Sequence, residues 1–409
     1  MKKYSLFLNS FPFLVIIFII SFILIITPSL YSKKIRGVTN STITIGLVCD
    51  QTGPIADITI PLSKGAINYT RHVNDQGGFH GRKIKLILED DRYSIPVTIA
   101  AFKKLVFKDG ILALMGPGSV GGTRTLIRHI KKLKIPTIPP IADKILVSPF
   151  RKYIFLPVDF YDDEIGVIYE YIMRDMKAEK PRIAFVYPDA ESGKLNMRSA
   201  KKWAGFYKLK IHLEIIGMAA LEASSQVLSL KRYKPTHLLM HHTSQGVILM
   251  LREMRKFRLD IPVFGTFPGC VEETVRIAGK ASKNYIGAHA FSSWYDKSSG
   301  MGKLRDITLK YYPGTEKPYR SKQYTVGWVT ATILCEGIKR SGKNLNAESL
   351  VQSLETLKNF DTKGLCGPIT YTSKSHKGLD YCKLFKADPP TGKLLPIIDW
   401  RKPPVIASQ

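Results

Sequence analysis

Short blocks of apolar residues with strand or helix periodicity follow one another along most of the chain. Residues 42–49 alternate at first and then become continuously apolar, which indicates a buried β-strand. A polar turn at 50–54 follows, and helical spacing through 65–73 ends at Asn74-Asp-Gln-Gly-Gly78, where glycines accept the backbone conformation that stops a helix. Further strands are predicted at 83–89, 111–115 and 135–138, and helices at 99–106 and 125–132.

The pattern restarts near residue 182 and predicts a second α/β unit. Its predicted strands are 182–187, 211–216, 237–241, 261–265 and 284–289, and its helices are 195–207, 227–233, 247–257 and 274–278. Two helices at 322–339 and 347–358 come next, and a hairpin of 368–371 with 381–386 is expected to close the chain. Because short strands alternate with helices throughout, the predicted fold class is α/β with doubly wound parallel sheets.

The first forty residues have the composition of an export segment and are set apart from the fold. Two lysines precede an apolar run from Phe11 to Ile26, and three basic residues follow it. The run is long for a signal peptide and near the lower limit for spanning a bilayer. Residues 1–40 are therefore interpreted as a signal peptide or an N-terminal membrane anchor. Either interpretation places the remaining chain in the periplasm or on the extracytoplasmic face of the membrane.

The chain carries a large excess of positive charge, with 61 Lys and Arg against 33 Asp and Glu and a formal net charge of +28. Residues 41–409 keep a charge of +23, since the first forty hold five basic and no acidic side chains. Nucleic acid is the first partner that such a charge suggests. However, the basic residues are dispersed in short pairs, and no nucleic-acid-binding module is recognisable. A basic proteome or attraction to an anionic membrane surface explains the charge without nucleic acid.

The sharpest local motif is Gly116-Pro-Gly118-Ser-Val-Gly121, between a predicted strand and a predicted helix. Its G-x-G-x-x-G spacing, with Asp143 beyond the next strand, permits a dinucleotide-binding interpretation. Against that interpretation, the motif follows the third strand and Pro117 stiffens the turn. Glycines at this place also let backbone amides at a helix N-terminus face a cleft, where they suit a carboxylate or carbonyl group. Contact with a ligand is favoured over a structural turn and over dinucleotide binding.

The remaining candidate chemistry does not favour catalysis. His241 and His242 are adjacent on a predicted strand, so they point to opposite faces and do not form a metal site. Asp90-Asp91 at a strand end is interpreted as a helix cap or a salt-bridged loop. The five cysteines lack metal-ligand spacing and are expected as core thiols, with one disulfide left open. No nucleophile elbow, zinc-protease motif or P-loop occurs, so we predict no enzyme, no cofactor and no bound metal.

The order of these features resembles the type I periplasmic solute-binding proteins of ABC transporters, in the leucine/isoleucine/valine-binding class. The resemblance covers nearly the whole chain after the first forty residues. It rests on the order and spacing of these segments: Ile45-Gly-Leu-Val48, Gly53-Pro54, Gly65-Ala66, Asn74 to Gly78, Gly81, Asp90-Asp91, Gly116, Pro136, Pro139, Ile277-Ala-Gly279 and Gly367-Pro-Ile-Thr370. It implies two doubly wound lobes, joined by a hinge of three crossovers, that close over a ligand. By position, lobe 1 would comprise 41–158 plus 289–363, and lobe 2 would comprise 159–288 plus 364–409.

The resemblance also implies a function and a set of site residues. It implies the extracytoplasmic solute-binding component of an ABC-type importer, a monomer that works with ABC permease subunits in the membrane. A ligand-sensing receptor domain of the same fold, without a transport role, is the alternative. The ligand would be a small amino-acid-like molecule, carboxylate or amide held in the interlobe cleft. The family's ligand contacts fall by position on Ser119, Val120, Gly121, Gly122, Ala142, Asp143, Ser192, Thr243 and Phe267.

Three of these positions depart from the amino-acid-binding members of the family. Those members have an acidic side chain at the position of Phe267, where it neutralises the ammonium group of the ligand, and aromatic side chains at the positions of Ser192 and Thr243. Burying an ammonium group without a carboxylate partner costs on the order of several kcal/mol. The hypothesis is therefore a ligand that lacks an α-ammonium group, such as an aromatic or aliphatic carboxylate or an amide.

Overall fold

The structure is a computed structural model that describes residues 35–141, 143–312 and 320–406. The predicted signal or anchor segment, residues 1–40, lies almost entirely outside the described residues. Within the described ranges, no helix is both long and apolar enough to cross a membrane. Arg36 already belongs to the folded body, because its guanidinium donates hydrogen bonds to the carbonyl oxygens of Ile111 (3.1 Å) and Leu133 (2.9 Å).

The first sheet has four parallel strands in the order β2-β1-β3-β4. These are β1 (Thr42–Cys49), β2 (Lys83–Asp90), β3 (Ala113–Met115) and β4 (Thr137–Ile138). Strand β1 pairs with β2 from Thr42 opposite Lys83 to Cys49 opposite Asp90. Its second half is buried throughout because helices cover both faces of the sheet there, which explains the change from alternating to continuously apolar residues.

The second sheet has seven strands in the order β11-β10-β9-β8-β7-β5-β6. They are β5 (Ile183–Pro188), β6 (Ile211–Ile216), β7 (His237–Met240), β8 (Val263–Gly265), β9 (Tyr285–His289), β10 (Lys383–Asp388) and β11 (Lys393–Pro396). The first five are parallel, whereas β10 runs antiparallel to both β9 and β11. The antiparallel hairpin therefore forms one edge of an otherwise parallel sheet.

Eleven α-helices occur in the described part of the chain. They are α1 (Ala56–Asp75), α2 (Ile95–Lys103), α3 (Val120–Leu133), α4 (Tyr161–Glu170), α5 (Glu191–Phe206), α6 (Ser224–Tyr233), α7 (Ser244–Lys256), α8 (Glu272–Ala278), α9 (Ser299–Tyr311), α10 (Lys322–Ser341) and α11 (Ala347–Glu355). Helices α4 and α9 had not been predicted from the sequence. The other helices and the strands β1 to β9 lie at the predicted places, with ends that differ by a few residues except at α1, which begins nine residues before the predicted stretch.

The buried side chains divide into cores that correspond to two lobes. One core surrounds the first sheet and includes helices α9, α10 and α11. Two others cover the opposite faces of the second sheet. This confirms the predicted fold class, which is α/β with parallel sheets in two lobes.

The predicted closing hairpin is wrong in its first strand. Residue Ile369 bridges Phe360 and the backbone of Lys377 bridges Leu156, so this stretch lies against the first sheet instead of pairing with β10. Its side chains Leu365, Ile369, Tyr371 and Leu379 are buried in the core of the first lobe. We therefore propose that the third crossover lies near residue 380 rather than 364. The other lobe boundaries stay predictions.

All five cysteines are buried, and none forms a disulfide: Cys49, Cys270, Cys335, Cys366 and Cys382. Burial is the main cause that raises the pKa of each thiol above its usual value. The reactive thiolate is therefore scarce at neutral pH. The expectation of core thiols is confirmed.

Candidate ligand-binding cleft

A cavity of about 230 Å³ lies between the carboxyl ends of the strands of the two sheets. The loops after β1, β3 and β4 line it from the first lobe, and those after β5, β6, β7 and β8 line it from the second. Most of its wall is apolar, including Ile58, Leu62, Ile95, Ile141 and Met218. Open parallel sheets bind ligands at this end of their strands, so this cavity is the candidate binding site.

The start of helix α3 contributes backbone donors to the cavity. Ser119 is the N-cap of this helix, and its hydroxyl oxygen accepts a hydrogen bond from the Gly122 amide at 3.1 Å. The amides of Val120 and Gly121, in the first turn, have no partner within the helix. Gly116, the first glycine of the sequence motif, has a φ of +89°, and a Cβ there would lie 2.1 Å from the Val48 carbonyl oxygen. The motif therefore holds β3 close to β1 and directs the start of α3 into the cleft.

Helices α5 and α7 begin at the opposite wall of the cavity. Ser192 lies in the first turn of α5, and Thr243 is the N-cap of α7. Their third residues are glycines, and a Cβ on Gly193 or Gly246 would lie 2.0 Å from the Pro188 carbonyl oxygen or the His242 ring, respectively. Both helices can start directly at the strand end only because glycine has no side chain at these two positions. Polar first turns from both lobes thus face the same cavity.

Two polar contacts connect the lobes at the rim of the cavity. The Arg124 guanidinium on α3 forms an ion pair with the Glu191 carboxylate on α5. The Ser244 hydroxyl on α7 donates a hydrogen bond to the Asp57 carboxylate on α1 at 2.5 Å. In this structure, the lobes therefore touch across the cleft.

His241 and His242 both line the cavity and both are 2% exposed. His241 Nδ1 lies 2.9 Å from the Thr266 hydroxyl and Nε2 lies 3.3 Å from the Asn196 side-chain amide. Burial lowers the pKa of His241 to about 3, and the neighbouring His242 contributes. It is therefore neutral at physiological pH. Among the described residues, no group of three His, Cys, Asp or Glu side chains is arranged to hold a metal.

Phe267 forms part of the apolar wall and is 3% exposed. Its ring stacks on the His289 ring at 4.5 Å, and its backbone N–H donates a hydrogen bond to the Glu164 carboxylate at 2.9 Å. This carboxylate therefore accepts from the backbone behind the ring and is fully buried. An aromatic ring and not a carboxylate therefore forms this part of the cavity wall.

Glu164 is paired with a second buried carboxyl group, that of Asp159. Burial raises the pKa of both groups well above the usual range; the charge of Asp163 adds to the shift of Asp159, and the charge of Asp159 adds to the shift of Glu164. Burial and the repulsion between negative charges therefore favour the protonated form of each carboxyl group. Asp159 and Glu164 lie just after Val158, where the first crossover between the lobes is predicted.

Seven of the nine predicted site residues line the cavity: Ser119, Val120, Gly121, Gly122, Ser192, Thr243 and Phe267. Asp143 does not line it. Its carboxylate accepts a hydrogen bond from the Ile145 amide at 3.0 Å and caps a short 3-10 helix, Lys144–Leu146, beside a separate surface hollow. Ala142 lies outside the described residues.

Several lining residues were missed from the sequence, namely Tyr93, Tyr161, Ile58 and Gln323. Gln323 is the most informative, because it is 1% exposed and neither end of its amide has a hydrogen-bond partner among the described residues. It stands at the start of α10, more than 200 residues from Ser119 in the chain. Its polarity within a buried helix start was the one available signal.

A sequence model of the family described as periplasmic binding protein matches residues 42–393. The chain belongs to the periplasmic binding protein family. Members of this family bind solutes outside the cytoplasm. The predicted resemblance to the leucine/isoleucine/valine-binding class is confirmed by the family match and by a relative that the chain matches over most of its length.

Among characterised sequences, the Leu/Ile/Val-binding protein homolog 3 of Brucella melitensis is 25% identical over 353 residues, which are 85% of this chain and 91% of that protein. The Leu/Ile/Val-binding protein BraC3 of Rhizobium johnstonii is 35% identical over 82 residues, which are 20% of this chain and 22% of that protein. The first match therefore spans nearly both chains, and the second spans about a fifth of each.

Two solved structures of periplasmic binding proteins are similar to the fold. A branched-chain amino acid ABC transporter protein from Thermus thermophilus with bound valine has a TM-score of 0.83 at 22% identity, covering 89% of this chain and 97% of that one. A fatty acid ABC transporter substrate-binding protein from Thermomonospora curvata has a TM-score of 0.81 at 21% identity, covering 90% and 95%. At these identities the structures establish the fold alone.

Proposed function

We propose that this protein is the extracytoplasmic solute-binding component of an ABC-type importer and has no catalytic activity. The observation that carries the proposal is the cavity between the lobes, where helix starts from both lobes meet an apolar wall. A small molecule with one polar end would satisfy both surfaces. Its release to ABC permease subunits would follow opening of the lobes. We propose that the protein acts as a monomer at the periplasmic side of the membrane.

The polar end of the ligand would be held at the start of α3. The first-turn amides of Val120 and Gly121 and the hydroxyl group of Ser119 suit a carboxylate or amide oxygen, and the helix dipole favours negative charge there. From the second lobe, the hydroxyl groups of Ser192 and Thr243 would complete the contacts.

The body of the ligand would be apolar and would carry no ammonium group beside its carboxylate. Phe267 closes the wall where an acid would otherwise stand, and Glu191, the one carboxylate among the described residues lining this cavity, is paired with Arg124. Similar folds serve both kinds of ligand, since one related structure holds valine and another belongs to a fatty acid transporter. The lining of this cleft supports a ligand of the fatty acid kind, with a carboxylate and no ammonium group beside it.

Calorimetric titration of the purified protein tests the ligand class. Leucine is compared with 4-methylpentanoate, which has the same branched carbon chain without the ammonium group, and with benzoate. We expect the carboxylates to bind at least tenfold more tightly than leucine, which corresponds to about 1.4 kcal/mol. Tight leucine binding without a response to either acid would overturn the proposed ligand class. Mass spectrometry of molecules that co-purify with the protein identifies the natural ligand independently.

A further inference from the structure

A second, smaller cavity of about 110 Å³ adjoins the main cleft. Ile58 and Gln323 line both cavities, so they form the wall that the two share. The volume suits a group of three or four non-hydrogen atoms, since a water molecule occupies about 30 Å³. Asp57 and Ser244, which connect the two lobes, lie at its side.

Three side chains that line the smaller cavity have buried polar atoms without a hydrogen-bond partner among the described residues. These atoms are Oε2 of Glu273, Oγ of Ser321 and both amide atoms of Gln323. Ser321 is 4% exposed and Gln323 is 1% exposed, so bulk water does not satisfy them. Buried polar atoms normally have partners, and three such side chains around one cavity indicate a missing polar occupant.

The charge around this cavity is negative. Glu273 and Asp57 both line it, and neither forms an ion pair within the described part of the chain. Of the neighbouring charged groups, Glu272 pairs with Lys322 at 3.0 Å, and the Arg276 guanidinium donates a hydrogen bond to the Tyr295 hydroxyl at 2.6 Å. A positively charged occupant is therefore favoured over a neutral one or an anion.

We propose that the smaller cavity is a binding site for a primary ammonium group. Such a group has three N–H donors, and the oxygens of Glu273, Ser321 and Gln323 provide three buried acceptors. The inference rests on the proposed solute-binding function and deepens it. The ammonium group belongs either to the far end of the cleft ligand, separated from its carboxylate by an apolar chain, or to a free amine bound beside the ligand.

Protonation of the Glu273 carboxyl group makes binding at this site measurable as a release of protons. Burial raises the pKa of Glu273 to about 7, and the neighbouring Glu272 adds to the shift, while Lys322 and Arg276 oppose it. An ammonium group bound beside this carboxyl group favours its charged form and lowers its pKa. Binding near pH 7 therefore releases protons from Glu273.

The test compares matched ligands by calorimetry on the full-length protein near pH 7. The ligands are 4-aminobutanoate, 5-aminopentanoate and 6-aminohexanoate against butanoate, pentanoate and hexanoate. A third arm adds methylammonium to each amine-free acid. We expect at least one amino acid of the series, or one acid with methylammonium, to bind at least tenfold more tightly than the acid alone. The arm that responds identifies the source of the ammonium group.

Glu273→Gln should remove this preference and also the proton release, which is measured in buffers of different ionisation enthalpy. Glu222→Gln, an exposed glutamate of the same lobe, is the matched control and should change neither. Binding of the acids without any benefit from an amine, or a preference that survives Glu273→Gln, overturns this inference and leaves the proposed function standing. If neither the acids nor the amino acids bind and no molecule co-purifies, the proposed function fails and this inference fails with it.

Discussion

Phe267 and Gln323 show how single residues set the chemistry of the cleft. Phe267 makes its part of the wall apolar, and the carboxyl group of Glu164 is fully buried behind its backbone. Gln323 instead places a buried amide without a hydrogen-bond partner among the described residues beside the cleft, which is costly unless a ligand pairs with it. Selectivity in this cleft therefore depends on which polar groups are left without a partner.

Two glycines in first helix turns, Gly193 in α5 and Gly121 in α3, provide a prediction for single residues. A Cβ on Gly193 would lie 2.0 Å from the Pro188 carbonyl oxygen, whereas a Cβ on Gly121 would have 3.5 Å to its nearest neighbour, the Glu191 carboxylate. Gly193→Ala should therefore lower the free energy of unfolding by about 1–3 kcal/mol, because backbone atoms must move. Gly121→Ala should leave stability nearly unchanged but weaken ligand binding, since the methyl group faces the cleft.

Chemical denaturation and calorimetric titration of the two variants separate these effects. Equal loss of stability in both variants would contradict the packing argument. Unchanged ligand affinity in a stable Gly121→Ala protein would contradict the placement of the ligand at the start of α3.

At the scale of elements, the sequence predicted most strands and helices but placed the helix starts too late. Helix α3 was expected from 125 and begins at Val120, and α7 was expected from 247 and begins at Ser244. The cause is that these first turns contain glycine and serine, which have low helix propensity and look like loops. The same turns line the cleft. Helix propensity therefore misplaces the helix starts at the positions where the binding site uses glycine and serine.

The sequence predicted only part of the residues that line the candidate site, because some of them reach it through tertiary packing. Family resemblance identified residues on loops that follow strands in order, such as Ser119 and Thr243. It could not identify Gln323, because a contact between α10 and the cleft depends on how the C-terminal helices pack over the first sheet. The closing hairpin was misplaced for the same reason, since burial of Ile369 and Tyr371 in the first lobe is not visible in local periodicity.

The carboxyl pair at the start of α4 leads to a prediction on pH. Because the pKa of Glu164 is raised in the folded state, its contribution to stability is complete below the pKa of the unfolded chain, about 4.3. That contribution is lost as pH rises through the folded-state pKa. Glu164→Gln keeps an oxygen for the Phe267 amide and cannot ionise. Its stability relative to wild type should therefore increase with pH, by up to about 1.4 kcal/mol per pH unit.

Thermal unfolding between pH 5 and 8 measures this difference. Glu222→Gln, at an exposed position, is the control and should follow the wild-type curve. A difference between Glu164→Gln and wild type that stays constant across this range would contradict the raised pKa of Glu164.

At the scale of the whole molecule, ligand affinity depends on the balance between open and closed lobes. The Arg124–Glu191 ion pair crosses the cleft, and its side chains are 53% and 35% exposed. A pair so exposed contributes up to about 1 kcal/mol. Glu191→Gln should therefore favour the open form and weaken ligand binding by a factor of about two to five, mainly through faster dissociation.

Stopped-flow binding and small-angle X-ray scattering with and without ligand check this prediction. Glu170→Gln is the matched control, because its partner Arg174 lies one turn away in the same lobe, at 3.3 Å, and the pair does not cross the cleft. Equal effects of the two variants on dissociation would contradict a role of the Arg124–Glu191 pair in closure.

The five buried thiols have a practical consequence for measuring that closure. Since none is exposed and the pKa of each is raised, maleimide dyes should leave the native cysteines unlabelled in the folded protein. One new cysteine on the surface of each lobe would then carry a donor–acceptor dye pair without any change to the wild-type core. Energy transfer between the dyes would report opening and closing of single molecules directly.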